Sequence, residues 1–290
     1  MSPLALVLVL SAAVFHVGWN YLTKSTRHKA AFLWLMHAVF AVAYLPVFLF
    51  MGYGPGLSWK GWAYVVGSGA VHAVYYWTLA RSYEAGDLSL VYPVARGTSV
   101  ILVAVFSALF LTERPSGLGA AGIATVLGGI YTLHLRTLSW KDALRPFLPA
   151  RTPGSSWALV TGARVAVYSL MDKAGVGLIE PGAYAYLLFL TAMAFFTPIV
   201  FRGGAGPVVA TWRAEARRVV VVGLSIPVAY LFILVAYTLA PVAYVVASRE
   251  VRLALGAVLG ALLLGEGRVG YRLAGSVLIL LGVGLLALAQ

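Results

Sequence analysis

Long apolar stretches separated by short polar breaks dominate the pattern of this chain. Each stretch supplies the roughly 20 apolar residues that an α-helix needs to cross a bilayer core about 30 Å thick. The breaks contain charges, glycine or proline, as in Lys24–Lys29 and Gly52–Gly56. The pattern predicts ten transmembrane helices, over residues 3–24, 28–51, 58–82, 87–111, 117–136, 155–174, 181–201, 215–238, 241–264 and 268–288.

The composition agrees with a membrane location and excludes several classes of protein. Of the 290 residues, 61% are hydrophobic and 10% are charged, and the mean hydropathy is +0.91. A soluble domain carries about a quarter charged residues, so we exclude a soluble enzyme, a disordered chain and, despite the net charge of +12, a nucleic-acid-binding module. The chain has no cysteine, and its His, Asp and Glu residues lack metal-ligand spacing. We therefore expect no metal, no cofactor and no enzymatic activity.

Lysine and arginine are distributed unevenly between the two sides of the predicted bundle. Fourteen of the 21 lie in the loops after odd-numbered stretches or at the edges of those loops, while Lys60, Arg114 and Lys173 lie on the opposite side. The remaining four fall inside stretches. Cytoplasmic loops carry the excess of Lys and Arg, so we expect both termini on the outer side of a multi-pass protein.

The chain resembles itself at an offset of 153 positions, which aligns residues 96–130 with 249–283. Paired positions include Arg96 with Arg249, Glu113 with Glu266, Gly122 with Gly275 and Gly129 with Gly282. We therefore predict two five-helix repeats, 1–136 and 155–290, joined by a connecting loop at 137–154. Because five is odd, the second repeat would enter the membrane from the opposite side. Inverted repeats of this kind are typical of secondary transporters, with the substrate site near the midplane; a duplication that serves only structure is the alternative.

These features resemble a known group of proteins. The ten stretches, the repeat, the motifs Leu-Phe-Leu-Thr-Glu113-Arg-Pro and Leu-Leu-Leu-Gly-Glu266-Gly-Arg, and the glycine-rich helix after each motif are similar to the drug/metabolite transporter superfamily, EamA type. The resemblance implies an all-α fold around a central cavity and export of metabolites across the inner membrane of a bacterium. The aromatic-rich segment from His72 to Arg96 looks most like the amino-acid exporters that accept aromatic substrates.

Polar and aromatic residues recur at helical spacing on five of the predicted helices, which favours a polar cavity because polar side chains in membranes face the bundle interior or water. The cluster of His72, Tyr75 and Tyr76 is the clearest, although the interfacial aromatic belt is an alternative for tyrosines. The predicted substrate-binding residues are Trp19, Asn20, His72, Tyr75, Tyr76, Tyr92, Arg96, Tyr168, Tyr244 and Ser248.

Arginines near the centre of predicted helices carry the functional prediction. A central arginine costs about 2.5–3.5 kcal/mol on insertion scales, and a guanidinium binds a carboxylate bidentately. The alternative is a structural ion pair, such as Glu250 with Arg96 or Arg164. We predict export of amino acids by alternating access, and proton-coupled export of cationic drugs or other small metabolites is the second hypothesis. The expected partners are the substrate and membrane lipid, without nucleic acid, in a monomer or weak homodimer.

Overall fold

The computed structural model of the chain describes residues 1–51, 57–85, 88–133, 135, 153–264 and 269–289. Within these residues the secondary structure is helical and contains no β-strand. A 3₁₀ turn occupies Phe201–Gly203. The helices are α1 Pro3–Ser25, α2 Lys29–Phe50, α3 Trp59–Ala85, α4 Leu88–Phe110, α5 Gly117–Leu133, α6 Pro153–Gly175, α7 Pro181–Val200, α8 Gly206–Leu239, α9 Val242–Ser248, α10 Val251–Leu264 and α11 Val269–Leu288.

The all-helical prediction is confirmed, and two of the predicted spans differ from the structure. The eighth helix begins at Gly206 instead of 215, but Glu215 has non-helical backbone angles (φ −134°, ψ 20°), so the segment before it forms a separate helical piece. The ninth span is two helices, α9 and α10, interrupted at Arg249 and Glu250. Hydropathy locates apolar stretches but gives no sign of a break in the backbone within a stretch or beside it.

Apolar helices of membrane-spanning length are present in the described part of the chain. Four are both long and apolar enough to cross a bilayer: Lys29–Phe50, Pro181–Gly203, Gly206–Leu239 and Gly270–Leu288. Shorter apolar helices cover Pro3–Trp19, Ala95–Phe110 and Gly117–Leu133. The protein is a multi-pass membrane protein. The orientation of its termini stays a prediction.

The helices form two compact units. The first unit comprises Met1–Val17, Asp87–Leu170 and Leu239–Gln290, and the second comprises Gly18–Gly86 and Met171–Thr238. Helices α1 and α6 contribute residues to both units. This division differs from the predicted repeats at 1–136 and 155–290, whose boundaries, with the loop at 137–154, stay predictions.

Glycines bring α5 and α11 together in the first unit. A Cβ on Gly122 would lie 3.0 Å from the carbonyl oxygen of Gly282, and a Cβ on Gly129 would lie 2.8 Å from that of Gly275. Gly122 aligns with Gly275 in the predicted repeat, and Gly129 aligns with Gly282. Each glycine of α5 therefore packs against the repeat equivalent of the other glycine of α5. A two-fold axis that relates the two helices produces such reciprocal contacts. The inverted relation of the whole repeats stays a prediction.

Aromatic side chains fill the second unit between α2, α7 and α8. Phe40, Tyr186 and Phe189 are buried together, and Tyr230 packs against them. Helix α7 starts at Pro181, preceded by Glu180, whose carboxylate accepts hydrogen bonds from the Gly182 and Ala183 N–H groups. A proline in the first turn and an acidic N-cap residue both favour a helix start at this point.

Candidate functional site

Buried charged side chains form a cluster in the first unit, which we call the arginine cluster. It comprises the buried residues Arg96, Ser248, Arg249, Glu250 and Arg252 and the partly buried His16. Arg96, Arg249 and Arg252 are each at most 8% exposed, and all three lie close enough to His16 to act on it electrostatically. The cluster thus contains three guanidinium groups and one carboxylate.

The break in the ninth span allows Glu250 and Arg252 to form an ion pair. Nη2 of Arg252 donates to Oε1 of Glu250 over 2.8 Å, and both side chains are buried. Residues two apart on a regular α-helix do not face each other, so this pair requires the interruption. Around the break, the Glu250 N–H bonds the Ala247 carbonyl and the Leu253 N–H bonds the Glu250 carbonyl, which is the tighter 3₁₀ spacing.

Arg252 also fixes the state of His16. Its Nη1 lies 3.0 Å from Nε2 of His16. Because a guanidinium can only donate, Nε2 accepts this hydrogen bond and the imidazole is neutral, with its proton on Nδ1. Three buried polar atoms of the cluster have no hydrogen-bond partner among the described residues: Ser248 Oγ, Glu250 Oε2 and Arg252 Nε. The cluster therefore contains both a buried donor, Arg252 Nε, and a buried acceptor, Glu250 Oε2, that are available for further hydrogen bonds.

A second buried cluster lies in the second unit, and we call it the carboxylate cluster: Ser68, His72, Asp172, Tyr184 and Tyr230. Asp172 is fully buried. Its Oδ1 accepts hydrogen bonds from the Ser68 hydroxyl and, over 2.8 Å, from the Tyr184 hydroxyl. Its Oδ2 accepts a hydrogen bond from the Tyr230 hydroxyl. One carboxylate on α6 is thereby bonded to α3, α7 and α8.

Histidine and tyrosine rings extend the carboxylate cluster. Nδ1 of His72 lies 2.9 Å from the Ser68 carbonyl oxygen, so it is the protonated nitrogen. The His72 ring meets Tyr230 edge-on at 5.5 Å and lies 6.2 Å from Tyr76. Tyr76 contacts Tyr75 at 5.6 Å and His37 at 4.6 Å between ring centroids. The network is therefore continuous from Asp172 to α2.

Comparison with known proteins finds a family match in the first half of the chain and a similar fold over nearly all of it. Residues 3–135 match the EamA-like transporter family. A solved structure, described only as "Crystal structure of protein", has a TM-score of 0.70, with 98% of this chain and 97% of that chain covered at 18% identity. This likeness concerns the fold. None of the curated proteins compared with the chain matches it.

The EamA-like match confirms the resemblance for residues 3–135 and leaves the predicted amino-acid subtype untested. The structure divides the predicted site residues between the units. His72, Tyr75 and Tyr76 lie together, with Trp19 buried in the same unit. Arg96, Tyr168, Tyr244 and Ser248 are buried in the first unit. The side chains of Asn20 and Tyr92, and the whole of Glu266, lie outside the described residues.

Two predicted residues have contacts that the sequence did not indicate. The Tyr244 hydroxyl accepts a hydrogen bond from the Ser116 N–H over 2.9 Å at the start of α5. Glu250 forms a structural ion pair, which was the alternative interpretation, but its partner is Arg252 in place of the suggested Arg96 or Arg164. The substrate-binding roles stay predictions.

Asp172 is the residue whose importance the sequence reasoning missed. In the sequence it is one polar position of the predicted sixth span, near the end of that span. Tyr184 follows it by 12 residues and Tyr230 by 58. The available signal was the spacing of four between Ser68 and His72 and between Tyr168 and Asp172, which marks polar faces on two helices. The described residues contain no cluster of His, Asp and Glu suited to a metal ion.

Proposed function

We propose that this protein is a secondary transporter that exports amino acids, aromatic and neutral ones included, across the inner membrane of a bacterium by alternating access. The match of residues 3–135 to the EamA-like transporter family supports a transporter. The predicted inverted repeat supports alternating access, because such repeats are typical of secondary transporters. The arginine cluster supports an amino-acid substrate.

The observation that carries the proposal is the set of three buried guanidinium groups in the arginine cluster. Arg252 is paired with Glu250, and Arg96 and Arg249 bring two further guanidinium groups to the same cluster. A guanidinium group binds a substrate carboxylate through charge-assisted hydrogen bonds in bidentate geometry. We assign this role to Arg96, a predicted site residue, or to Arg249, its equivalent in the predicted repeat.

The same cluster has a group that suits the other end of a zwitterion. Oε2 of Glu250 is buried and accepts no hydrogen bond from the described residues. A substrate ammonium is a strong donor to such a carboxylate oxygen. Ser248 Oγ is a further buried group that can donate or accept. An amino acid therefore fits the cluster better than a simple anion or a simple cation.

Transport by purified protein in liposomes tests the proposal. We expect counterflow of labelled phenylalanine or threonine, and a large loss of it in Arg96→Ala at unchanged yield of folded protein. Arg114→Ala is the matched control, because Arg114 is exposed and its loss should leave transport unchanged. Movement of an ethidium-like cation without movement of either amino acid would contradict the proposal.

A second candidate, export of cationic drugs or other small metabolites by proton antiport, is favoured by one observation. Such a carrier needs a carboxylate within the membrane, and Asp172 is fully buried in the second unit. The ethidium-like cation in the same liposomes distinguishes the two. Sensitivity of cation movement to Asp172→Asn, with Arg96→Ala still active, would favour this second function.

A further inference from the structure

The hydroxyl groups around Asp172 can form hydrogen bonds with its carboxyl group in either protonation state. Among the described residues, the hydrogen bonds to Asp172 come from Ser68, Tyr184 and Tyr230. A hydroxyl both donates and accepts hydrogen bonds, whereas a guanidinium only donates. The surroundings of Asp172 therefore satisfy a carboxylate and, after rotation of one hydroxyl, a neutral carboxyl group. Glu250 differs, because its partner Arg252 is a cation that only donates hydrogen bonds.

The two oxygens of Asp172 are not equivalent, which identifies the atom that takes up a proton. Oδ1 accepts two hydrogen bonds, from Ser68 and Tyr184, and Oδ2 accepts one, from Tyr230. A proton added to Oδ2 would make that oxygen a donor, so the Tyr230 hydroxyl would have to turn and accept. The hydrogen bond from Tyr230 to Asp172 is thus the one that depends on protonation. The hydrogen bonds from Ser68 and Tyr184 can persist.

The other titratable groups near Asp172 have defined contacts. His72 on α3 bonds the Ser68 carbonyl through Nδ1, and His37 on α2 bonds the Leu33 carbonyl through Nδ1. Lys173, next to Asp172 on α6, donates to the Tyr237 carbonyl on α8 over 2.5 Å. Tyr184 on α7, Tyr230 on α8 and Tyr76 on α3 contribute phenol groups. Asp172 is the group of this set whose partners adapt to both of its states.

We propose that Asp172 is the proton-binding residue that couples transport to a proton gradient, with Tyr230 as the positioning residue that senses its state. The inference rests on the proposed transport function. One proton from the aqueous phase adds to Oδ2, and the hydrogen bond that Tyr230 donates to it is lost or reversed. Protonation thereby changes how α8 is attached to α6 within the second unit.

Asp172→Asn separates coupling from transport, because asparagine has the size of the neutral carboxyl group and does not titrate. In liposomes with an acidic interior, antiport of one proton per substrate at a gradient of one pH unit allows about tenfold accumulation. We expect wild-type protein to approach this value and Asp172→Asn to lose it, while substrate exchange at equal pH stays within about twofold of wild type. Glu180→Gln is the control, since Glu180 is an exposed helix-capping carboxylate.

Tyr230→Phe and an infrared titration provide independent measurements. Tyr230→Phe removes a donor to the carboxylate and should move the pH midpoint of gradient-driven transport to higher pH, with exchange at equal pH retained. The infrared band of a protonated buried carboxyl group should titrate in wild type and Glu180→Gln and be absent in Asp172→Asn. This band needs no substrate, so it tests the inference even if amino acids are not transported.

Three outcomes would overturn the inference while leaving the transport proposal intact. One is gradient-driven accumulation by Asp172→Asn equal to that of wild type. A second is accumulation that follows a sodium gradient and ignores the pH gradient. Loss of exchange at equal pH in folded Asp172→Asn protein would likewise overturn it, because Asp172 would then act in substrate movement itself.

Discussion

The close approach of α5 and α11 predicts opposite effects for alanine at two adjacent glycines. A Cβ on Gly129 would lie 2.7 Å from the Ile279 backbone nitrogen and 2.8 Å from the Gly275 carbonyl oxygen, whereas a Cβ on Gly128 meets nothing within 4 Å. Both substitutions gain about 1 kcal/mol of helix propensity. Only Gly129→Ala forces backbone atoms apart, and overpacking costs about 1–3 kcal/mol.

The difference between the two variants therefore isolates the helix contact. We expect Gly128→Ala to have an unfolding temperature at or above that of the wild type. Gly129→Ala should have a free energy of unfolding about 1–3 kcal/mol lower than that of Gly128→Ala. The assay is thermal unfolding in detergent, where about 2–4 °C corresponds to each kcal/mol in larger domains. Gly284→Ala and Gly282→Ala repeat the comparison on α11, since a Cβ on Gly284 is unobstructed and one on Gly282 would meet the Gly122 carbonyl at 2.8 Å. Equal unfolding temperatures within both pairs would refute the reasoning.

Two further predictions concern hydrogen bonds in the first unit. Tyr244→Phe removes the acceptor of the Ser116 N–H and should cost about 1 kcal/mol of stability in the same unfolding assay; an unchanged unfolding temperature would show that this contact is replaced by water. Glu113 accepts the Val242 N–H over 2.7 Å at the start of α9, so Glu113→Ala should cost about 0.5–2 kcal/mol and Glu113→Gln, which keeps an acceptor oxygen, clearly less. Equal losses in the two Glu113 variants would assign the effect to charge instead of capping.

Hydrophobic length predicts the helices of this chain well, because each membrane-spanning helix must satisfy its own backbone hydrogen bonds. It predicts breaks poorly. No proline or glycine stands at Arg249 and Glu250, and the interruption becomes intelligible only from the ion pair of Glu250 with Arg252. The kink at Glu215 has the same character, since Glu215 accepts a hydrogen bond from the Thr26 hydroxyl, far away in the sequence.

The candidate site was predictable where one helix carries its residues and unpredictable where several helices meet. His72, Tyr75 and Tyr76 share a face of α3, so helical spacing identifies them. The partners of Asp172 are contributed by three other helices, and a tyrosine in an apolar helix is also typical of the membrane interface. Tyr184 and Tyr230 therefore gave no separate signal. Burial of a single carboxylate among hydroxyl groups is a property of the packed unit.

The ion pair at the helix break can be measured by a double-mutant cycle. Glu250→Leu leaves the Arg252 charge buried without its carboxylate, and breaking a buried pair in this way costs about 3–5 kcal/mol. Replacing both partners, as in Glu250→Leu with Arg252→Met, removes both charges and should recover much of that loss. Thermal unfolding of the wild type, the two single variants and the double variant gives the coupling energy. A double variant that loses the sum of both single losses would contradict the pairing.

The same double variant tests whether Arg252 or one of the other two arginines of the cluster binds the substrate carboxylate. It retains Arg96 and Arg249, the guanidinium groups that we assign to the substrate carboxylate, and it removes Glu250, which we assign to the ammonium. Amino-acid exchange should therefore weaken strongly, while exchange of a carboxylate without an ammonium, such as phenylpropionate, should be retained or improved. Arg96→Ala or Arg249→Ala should instead impair both substrates. If the double variant abolishes phenylpropionate exchange while remaining folded, Arg252 and not its neighbours is the carboxylate ligand, and the structural role given to the ion pair is wrong.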